Sequence, residues 1–201
     1  MSFGNPVDFV QKIFDESIQI KAAFIQKNAV KMTEIAELIA NRILQGNKVL
    51  VCGNGGSACD ASHLTGEMLG RLSIERNALP AVCLTTDIGA ITAIANDYGY
   101  HEVFARPLKG LSRPGDLLIA ISTSGNSDNV YLAALEAHKL GVTTIGILGG
   151  NGGKIKPLCH HTLVVEEAYN SSRCQETYLV AIHALIELVD RFYLPINRKD
   201  R

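Results

Sequence analysis

The chain has 201 residues, 47% of them apolar and 19% charged, with 19 Lys and Arg against 20 Asp and Glu for a formal net charge of −1. That length and apolar content suit one well-buried α/β domain, or a domain with a helical extension. The balanced charge, with no basic stripe interleaved with aromatics, argues against nucleic acid as a partner, and no apolar run reaches the length of a membrane span.

The N-terminal segment, Met1 to Val10, lacks the charged, apolar and small-residue regions of a signal peptide. The five cysteines, Cys52, Cys59, Cys83, Cys159 and Cys174, form no CxxC pair and are irregularly spaced. They point to a reducing compartment rather than a disulfide framework. The expected location is therefore the cytoplasm.

In chain order, residues 7 to 46 read as two helices forming an N-terminal hairpin. Val7–Phe24 carries apolar residues at spacings of three and four, and Met32–Leu44 repeats the pattern with Ile35, Leu38, Ile39 and Ile43. Gly46 is placed to end the second helix. From 47 to 201 short apolar runs alternate with helical stretches. Strands are expected at Lys48–Cys52, Ala81–Thr85, Asp116–Ile121, Val142–Leu148 and Leu163–Val165. Between them helices are expected at about Ala58–Leu69, Ile88–Ala95, Glu102–Leu108 and up to Leu140, and a last one over Ser172–Tyr193. Short, nearly continuous apolar strands between helices predict an α/β fold, with a five-stranded parallel sheet covered on both faces. With no repeat, low-complexity segment or linker, the chain reads as one domain over 1–201. Its last helix is apolar nearly all round (Leu179, Val180, Ile182, Leu185, Ile186, Leu188, Val189), so burial between subunits is expected.

Ligands of such sheets bind at the carboxyl ends of the strands, and two Gly/Ser-rich loops stand there. The second, Ser122-Thr123-Ser124-Gly125-Asn126-Ser127, offers four hydroxyls and opens a helix, whose N-terminus adds free N–H groups and a positive dipole end. It contains no Lys or Arg, which suits a phosphomonoester held by neutral donors. An ordinary N-cap needs only one such residue; four in six positions exceed that need. The first loop, Gly53-Asn54-Gly55-Gly56-Ser57-Ala58, satisfies the G-x-G-x-x-A dinucleotide fingerprint. A ribose-binding acid should follow about 20 residues later at a strand end. Glu75 lies in a polar stretch and Asp87 comes too late, so a tight turn competes with the dinucleotide reading.

Several side chains could do chemistry. His63 and Glu67 stand four apart on one helix face, either at the mouth of the site or as a solvated surface pair. Gln175 and His183 lie in the last helix, about 12 Å apart along its axis. They meet at one centre only if Gln175 reaches down, and a histidine in an apolar helix is more often a core residue. Asn96-Asp97 reads either as a polar pair near the site or as a helix-ending turn. Cys159-His160-His161 is adjacent in sequence, so its side chains diverge, and His101 and His138 read as surface residues.

These motifs together resemble the sugar isomerase (SIS) domain family, and within it the phosphoheptose isomerases. The likeness runs over nearly the whole chain. It rests on CGNGGS at Cys52–Ser57, D-A-x-H at Asp60–His63 with Glu67 behind, AIANDYG at Ala93–Gly99, ISTSGNS at Ile121–Ser127, and R-x-Q-E at Arg173–Glu176 with His183 beyond. The resemblance implies a flavodoxin-like fold, a homotetramer with active sites shared between subunits, and isomerisation of sedoheptulose 7-phosphate to D-glycero-D-manno-heptose 7-phosphate, the first step toward the ADP-heptose of lipopolysaccharide core. It implies that Ser122, Thr123, Ser124 and Ser127 hold the phosphate and that Asn54, Gly55, Gly56, Ser57, Asn96 and Asp97 line the sugar, with Glu67 and Gln175 also touching substrate. It further implies that Glu67 and His183 are the acid/base pair and that His63, Glu67, Gln175 and His183 surround a zinc ion. The alternatives within the fold are a non-catalytic paralogue binding the replication initiator DnaA and a sugar-phosphate sensor; neither needs the Glu67–His183 pair.

Overall fold

The computed structural model describes residues 5–168 and 170–197. Met1 to Gly4, part of the segment expected to carry no signal sequence, fall outside the described residues. Five strands, β1 (Val49–Cys52), β2 (Ala81–Cys83), β3 (Leu117–Ser122), β4 (Thr143–Gly149) and β5 (His161–Val165), form one sheet in the order β2-β1-β3-β4-β5. Every pairing is parallel. Six helices connect or flank them: α1 (Pro6–Leu44), α2 (Gly56–Leu69), α3 (Ile88–Tyr98), α4 (Ala105–Leu111), α5 (Asp128–Lys139) and α6 (Ser171–Asn197).

The strands lack polar alternation because both faces are covered. Val49, Val51, Leu117, Ile119 and Ile121 point into a core shared with α1, α2 and α6. The intervening Leu50, Cys52, Leu118 and Ala120 point into a second core shared with α4 and α5. Cys52, a core residue as its apolar run suggested, is fully buried, and burial pushes its thiol pKa well up.

The predicted N-terminal hairpin is replaced by one helix. α1 runs unbroken for 39 residues, about 58 Å. Between the two expected helices lies Asn28. It stays on the buried stripe, 3% exposed, and its Nδ2 donates to Phe24 O at 2.9 Å. Residues 25–31 contain neither Gly nor Pro, so nothing stops the helix there. Phe24, Asn28 and Met32 simply continue a four-residue spacing. The expected end holds: Gly46 follows at φ 84°. From Pro6 to Glu16 no α1 residue is buried, and Val7, Phe9, Val10 and Phe14 lie exposed.

Two other elements differ from expectation. The helix expected at Glu102–Leu108 is split into a 3₁₀ turn at Tyr100–Glu102 and α4, whose start at Ala105 keeps Pro107 in the first turn, where its missing N–H costs nothing. The last helix is not buried all round by its own chain: Tyr178, Ile182, Leu185 and Val189 are buried, whereas Leu179 and Val180 are exposed.

At the amino ends of the strands Asp116 ties β1 to β3. Its carboxylate accepts from Lys48 Nζ at 2.5 Å, Lys48 N at 3.0 Å and Arg113 N at 2.8 Å. Burial alone would push this carboxyl up; those donors outweigh it and hold the pKa below the usual value. A depressed carboxylate stabilises the fold above its unfolded pKa, and that contribution disappears as pH falls through the folded pKa. Asp116→Ala should therefore cost roughly 1–3 kcal/mol at neutral pH, the penalty for stranding buried donors. In urea titrations the deficit should shrink below about pH 4; a deficit independent of pH would contradict the assignment.

Candidate active site

The chain leaves β1 toward β2 on one side and returns to β3 on the other. This reversal is the switch point of a 2-1-3-4-5 sheet, the position at which such folds bind ligands. The loops after β1 and β3 therefore open side by side. They are joined by two amides: Asn54 Nδ2 donates to Asn129 Oδ1 at 2.7 Å, and Asn129 Nδ2 returns to Asn54 Oδ1 at 2.8 Å. Tyr100 OH adds a 3.0 Å bond to Asn54 Oδ1. Asn129, 3% exposed, and Tyr100 were not among the residues the sequence singled out. Each lies in a different segment from Asn54, with no local signal of the pairing.

The loop after β3 is a hydroxyl cradle. Ser122 Oγ lies 3.2 Å from Ser127 Oγ and 3.5 Å from Ser124 Oγ, and Thr123 Oγ1 lies 3.3 Å from Ser171 Oγ. Ser127 occupies the N-cap position of α5, yet its side chain makes no capping bond. The hydroxyl that an ordinary cap would use is turned instead toward Ser122 Oγ. The N–H groups of Ser127, Asp128 and Asn129 have no acceptor among the described residues. The turn depends on Gly125 at φ 64°, where a Cβ would collide with the Gly152 backbone at 2.2 Å. Lys154 is drawn toward Asp128 and the face of Tyr131.

The loop after β1 leads into α2, which lies against α6. At the start of α2, Gln175 packs on Gly56, where a Cβ would come within 2.2 Å of Gln175 Nε2. One glycine thus admits the amide to the mouth of the loop. About 10 Å further along α2, His63 Nε2 meets His183 Nε2 at 2.8 Å, with Glu67 Oε1 3.5 Å from His63 Nε2. The structure brings these three together from two helices. His63 is exposed, and Glu67 and His183 are partly buried.

A bond between the two imidazoles requires at least one neutral ring. Three ligand atoms within 4.8 Å of one another also form a donor set of two imidazoles and one carboxylate, which suits a divalent transition metal with a position left open. Ligands on a tetrahedral zinc lie about 3.3 Å apart for bonds of 2.0–2.1 Å, so the residues fit the ion after a small opening. Gln175 sits at the loop end of α6, against Gly56.

Asp60, one turn before His63, is 9% exposed and has an Oδ2 atom without a partner among the described residues. Burial pushes its pKa up to about 6, against the opposing pull of His63. Asn96 and Asp97 lie exposed on α3, where Asn96 Nδ2 donates to Asp97 Oδ1 at 2.8 Å. No bond links them to either loop among the described residues. The dinucleotide alternative loses its remaining acids: Glu75 pairs with Arg71 at 3.4 Å, and Asp87 caps α3 through Ala90 N at 2.9 Å. Cys159, His160 and His161 diverge as expected. His160 Nδ1 accepts from Thr144 N, and its ring stacks on His138.

Replacing two of these hydroxyls tests the cradle. Ser124→Ala and Ser127→Ala should each weaken binding of a sugar phosphate by roughly 0.5–3 kcal/mol, the range for one lost hydrogen bond, neutral or charged. Unchanged calorimetric affinity in both would remove this loop from the site.

Comparison with known proteins places these features in a family. The SIS domain family model matches residues 12–149. A phosphoheptose isomerase of Aquifex aeolicus is 46% identical over 181 residues, spanning 90% of this chain and 94% of the relative. A solved phosphoheptose isomerase from Neisseria gonorrhoeae superposes with a TM-score of 0.87 at 38% identity, covering 93% of this chain and all of the other. One from Francisella tularensis gives 0.89 at 34% identity over 93% and 99%.

Proposed function

We infer the function from the premise that the chain belongs to the SIS domain family and, within it, to the phosphoheptose isomerases: it is an aldose–ketose isomerase that converts sedoheptulose 7-phosphate to D-glycero-D-manno-heptose 7-phosphate. The observation that carries this reading is the meeting of His63 and Glu67, on the helix that follows the β1 loop, with His183 of α6, in a fold whose β3 loop carries a hydroxyl cradle. A paralogue that only binds would need the cradle and not the cluster.

The reaction moves a proton between C1 and C2 through an enediol, with matching proton transfers at the oxygens. Glu67 and His183 divide these transfers between carbon and oxygen. Ser122, Thr123, Ser124 and Ser127 hold the phosphate, with the α5 N-terminus contributing N–H groups and dipole. Asn54, Gly55, Gly56, Ser57 and Gln175 line the sugar from the first loop and α6. Binding energy collected at the remote phosphate fixes the reacting carbons against the cluster. Zinc is the ion proposed for His63, Glu67 and His183, with Gln175 as a fourth candidate; bound there it supplies Lewis-acid polarisation of the substrate oxygens.

The chain is further proposed to act as one domain in a cytoplasmic homotetramer with sites shared between subunits, feeding ADP-heptose synthesis. The exposed apolar residues of α1 and the exposed Leu179 and Val180 of α6 support an association surface. Sedimentation at low concentration should give a tetramer; an active monomer would contradict the shared site.

Incubation with sedoheptulose 7-phosphate should yield the aldose. Glu67→Gln and His183→Asn should each lower turnover by at least about 10²–10⁴-fold, the usual worth of general acid–base assistance, with equilibrium binding of the sugar phosphate largely kept. Native turnover in both variants would refute the acid/base pair. A parent protein that binds an initiator protein and isomerises nothing would refute the enzyme reading.

A further inference from the structure

Arg76 stands in the polar connection between α2 and β2, yet its side chain and that of Asp190 on α6 are both 0% exposed, and Arg76 Nε donates to Asp190 Oδ1 at 2.5 Å. The remaining guanidinium nitrogens serve the end of α2. Nη2 donates to Glu67 O at 2.8 Å; Nη1 donates to Met68 O at 2.9 Å, Gly70 O at 3.1 Å and Asn77 O at 3.2 Å. The last carbonyls of a helix have no partner within it, and the last turn of α2 holds no basic residue of its own. Arg76 fills that role from outside the helix, and one of the carbonyls it holds is that of Glu67.

The anchor at the other end is equally placed. Asp190 follows His183 by seven residues, two helical turns, on the same face of α6. α2 and α6 thus run side by side with three contacts in order: Gly56 against Gln175, His63 against His183, and the end of α2 tied through Arg76 to Asp190. Burying two charges is costly, and an apolar pair of similar volume often stabilises a fold as well or better. Asp190 even keeps one buried oxygen, Oδ2, without a partner among the described residues. A fork of fixed geometry joining the two helices does what an apolar pair cannot: it sets where one helix stops along the other.

We propose that the buried Arg76–Asp190 pair is a positioning device that fixes α2 against α6 and so holds His63 and Glu67 at working distance from His183. The inference rests on the preceding assignment of that cluster as the reacting centre. It predicts a division of effects. The phosphate cradle belongs to β3 and α5 and is untouched by the lock, so KM should change little. The proton-transferring and metal-holding geometry should loosen.

The test uses Arg76→Lys, which keeps the charge and loses the fork, and the paired replacement Arg76→Met with Asp190→Leu, which removes the charges and keeps the packing. Asp190→Asn, equal in size and still able to accept from Arg76, is the rescue variant. Each is measured well below its thermal midpoint, with the folded fraction fixed by circular dichroism. For Arg76→Lys and the paired variant, kcat per folded molecule should fall about tenfold or more and KM stay within about twofold. Zinc affinity, read by competition with a chelating dye, should fall by a comparable factor, as is usual when the groups that orient metal ligands are removed. Asp190→Asn should recover most of both. Parental kcat and zinc affinity in whichever of the first two variants folds would overturn the proposal, as would losses that only track the folded fraction. If the parent itself isomerises nothing, the functional reading fails instead. The lock is then judged by zinc affinity and by the imidazole ¹⁵N spectrum of the metal-free protein, in which the signals of the paired His63 and His183 should be lost on Arg76→Lys; their persistence would refute it.

Discussion

Everything in the site descends from the adjacency of β1 and β3. Because parallel strands need crossover connections, all the strands' carboxyl ends lie on one edge of the sheet, and the reversal of direction between β1 and β3 opens a crevice there. The register Val49↔Leu117 through Cys52↔Ala120 brings the two carboxyl ends to one level, and the Asn54–Asn129 amide pair joins the loops there. Lys48 and Asp116 pin the same two strands at the opposite end. The β3 loop and the β1 loop that leads into α2 are therefore both set on one pair of strands.

The reacting cluster has a different architecture. His63 and Glu67 belong to a helix that follows β1, whereas His183 belongs to the closing helix, which packs on α1 and α2 through a shared core. Sheet geometry alone does not set how far α6 slides along α2. Apolar packing permits such sliding at little cost, since it is non-directional. Directional contacts select one position, and the three along this interface are all polar at one or both partners. A buried oxygen on Asp190 with no partner among the described residues is the kind of local cost that persists where geometry matters more than stability.

This difference explains how much was legible in the sequence. The strands, the five-stranded parallel sheet and both loops were readable because each is a contiguous run whose composition reflects burial or a turn. Ser122 to Ser127 even exceeded what capping needs, and the structure leaves Ser127 free of that task. α1 was misread as two helices because apolar periodicity was followed only over Val7–Phe24 and Met32–Leu44, and between them the buried stripe continues through a polar residue, Asn28. His63 and His183, separated by 120 residues, could be joined only through family resemblance. Asn129 and Arg76 escaped notice altogether. Locally one is an ordinary first-turn asparagine and the other a charge in a polar stretch; each acquires its role from a partner 75 and 114 residues away.

The electrostatics of the two ends of the site differ in a way that suits their tasks. A phosphomonoester carries a charge of about −1.5 to −2 near neutrality, whereas a helix N-terminus offers roughly half a positive charge. The loop after β3 contains no cation, and the nearby Lys154 is drawn toward Asp128. In the proposed reading the substrate's charge is met by several neutral dipoles rather than by one ion pair. Such donors fix orientation through their number and direction without drawing the ligand into a deep electrostatic well. That matters because binding substrate and transition state equally tightly does not speed the chemical step. In the proposed reaction the negative charge that grows on the enediolate oxygens would be met at the other end by the imidazoles of His63 and His183 and by a cation held with Glu67, where added attraction lowers the barrier itself.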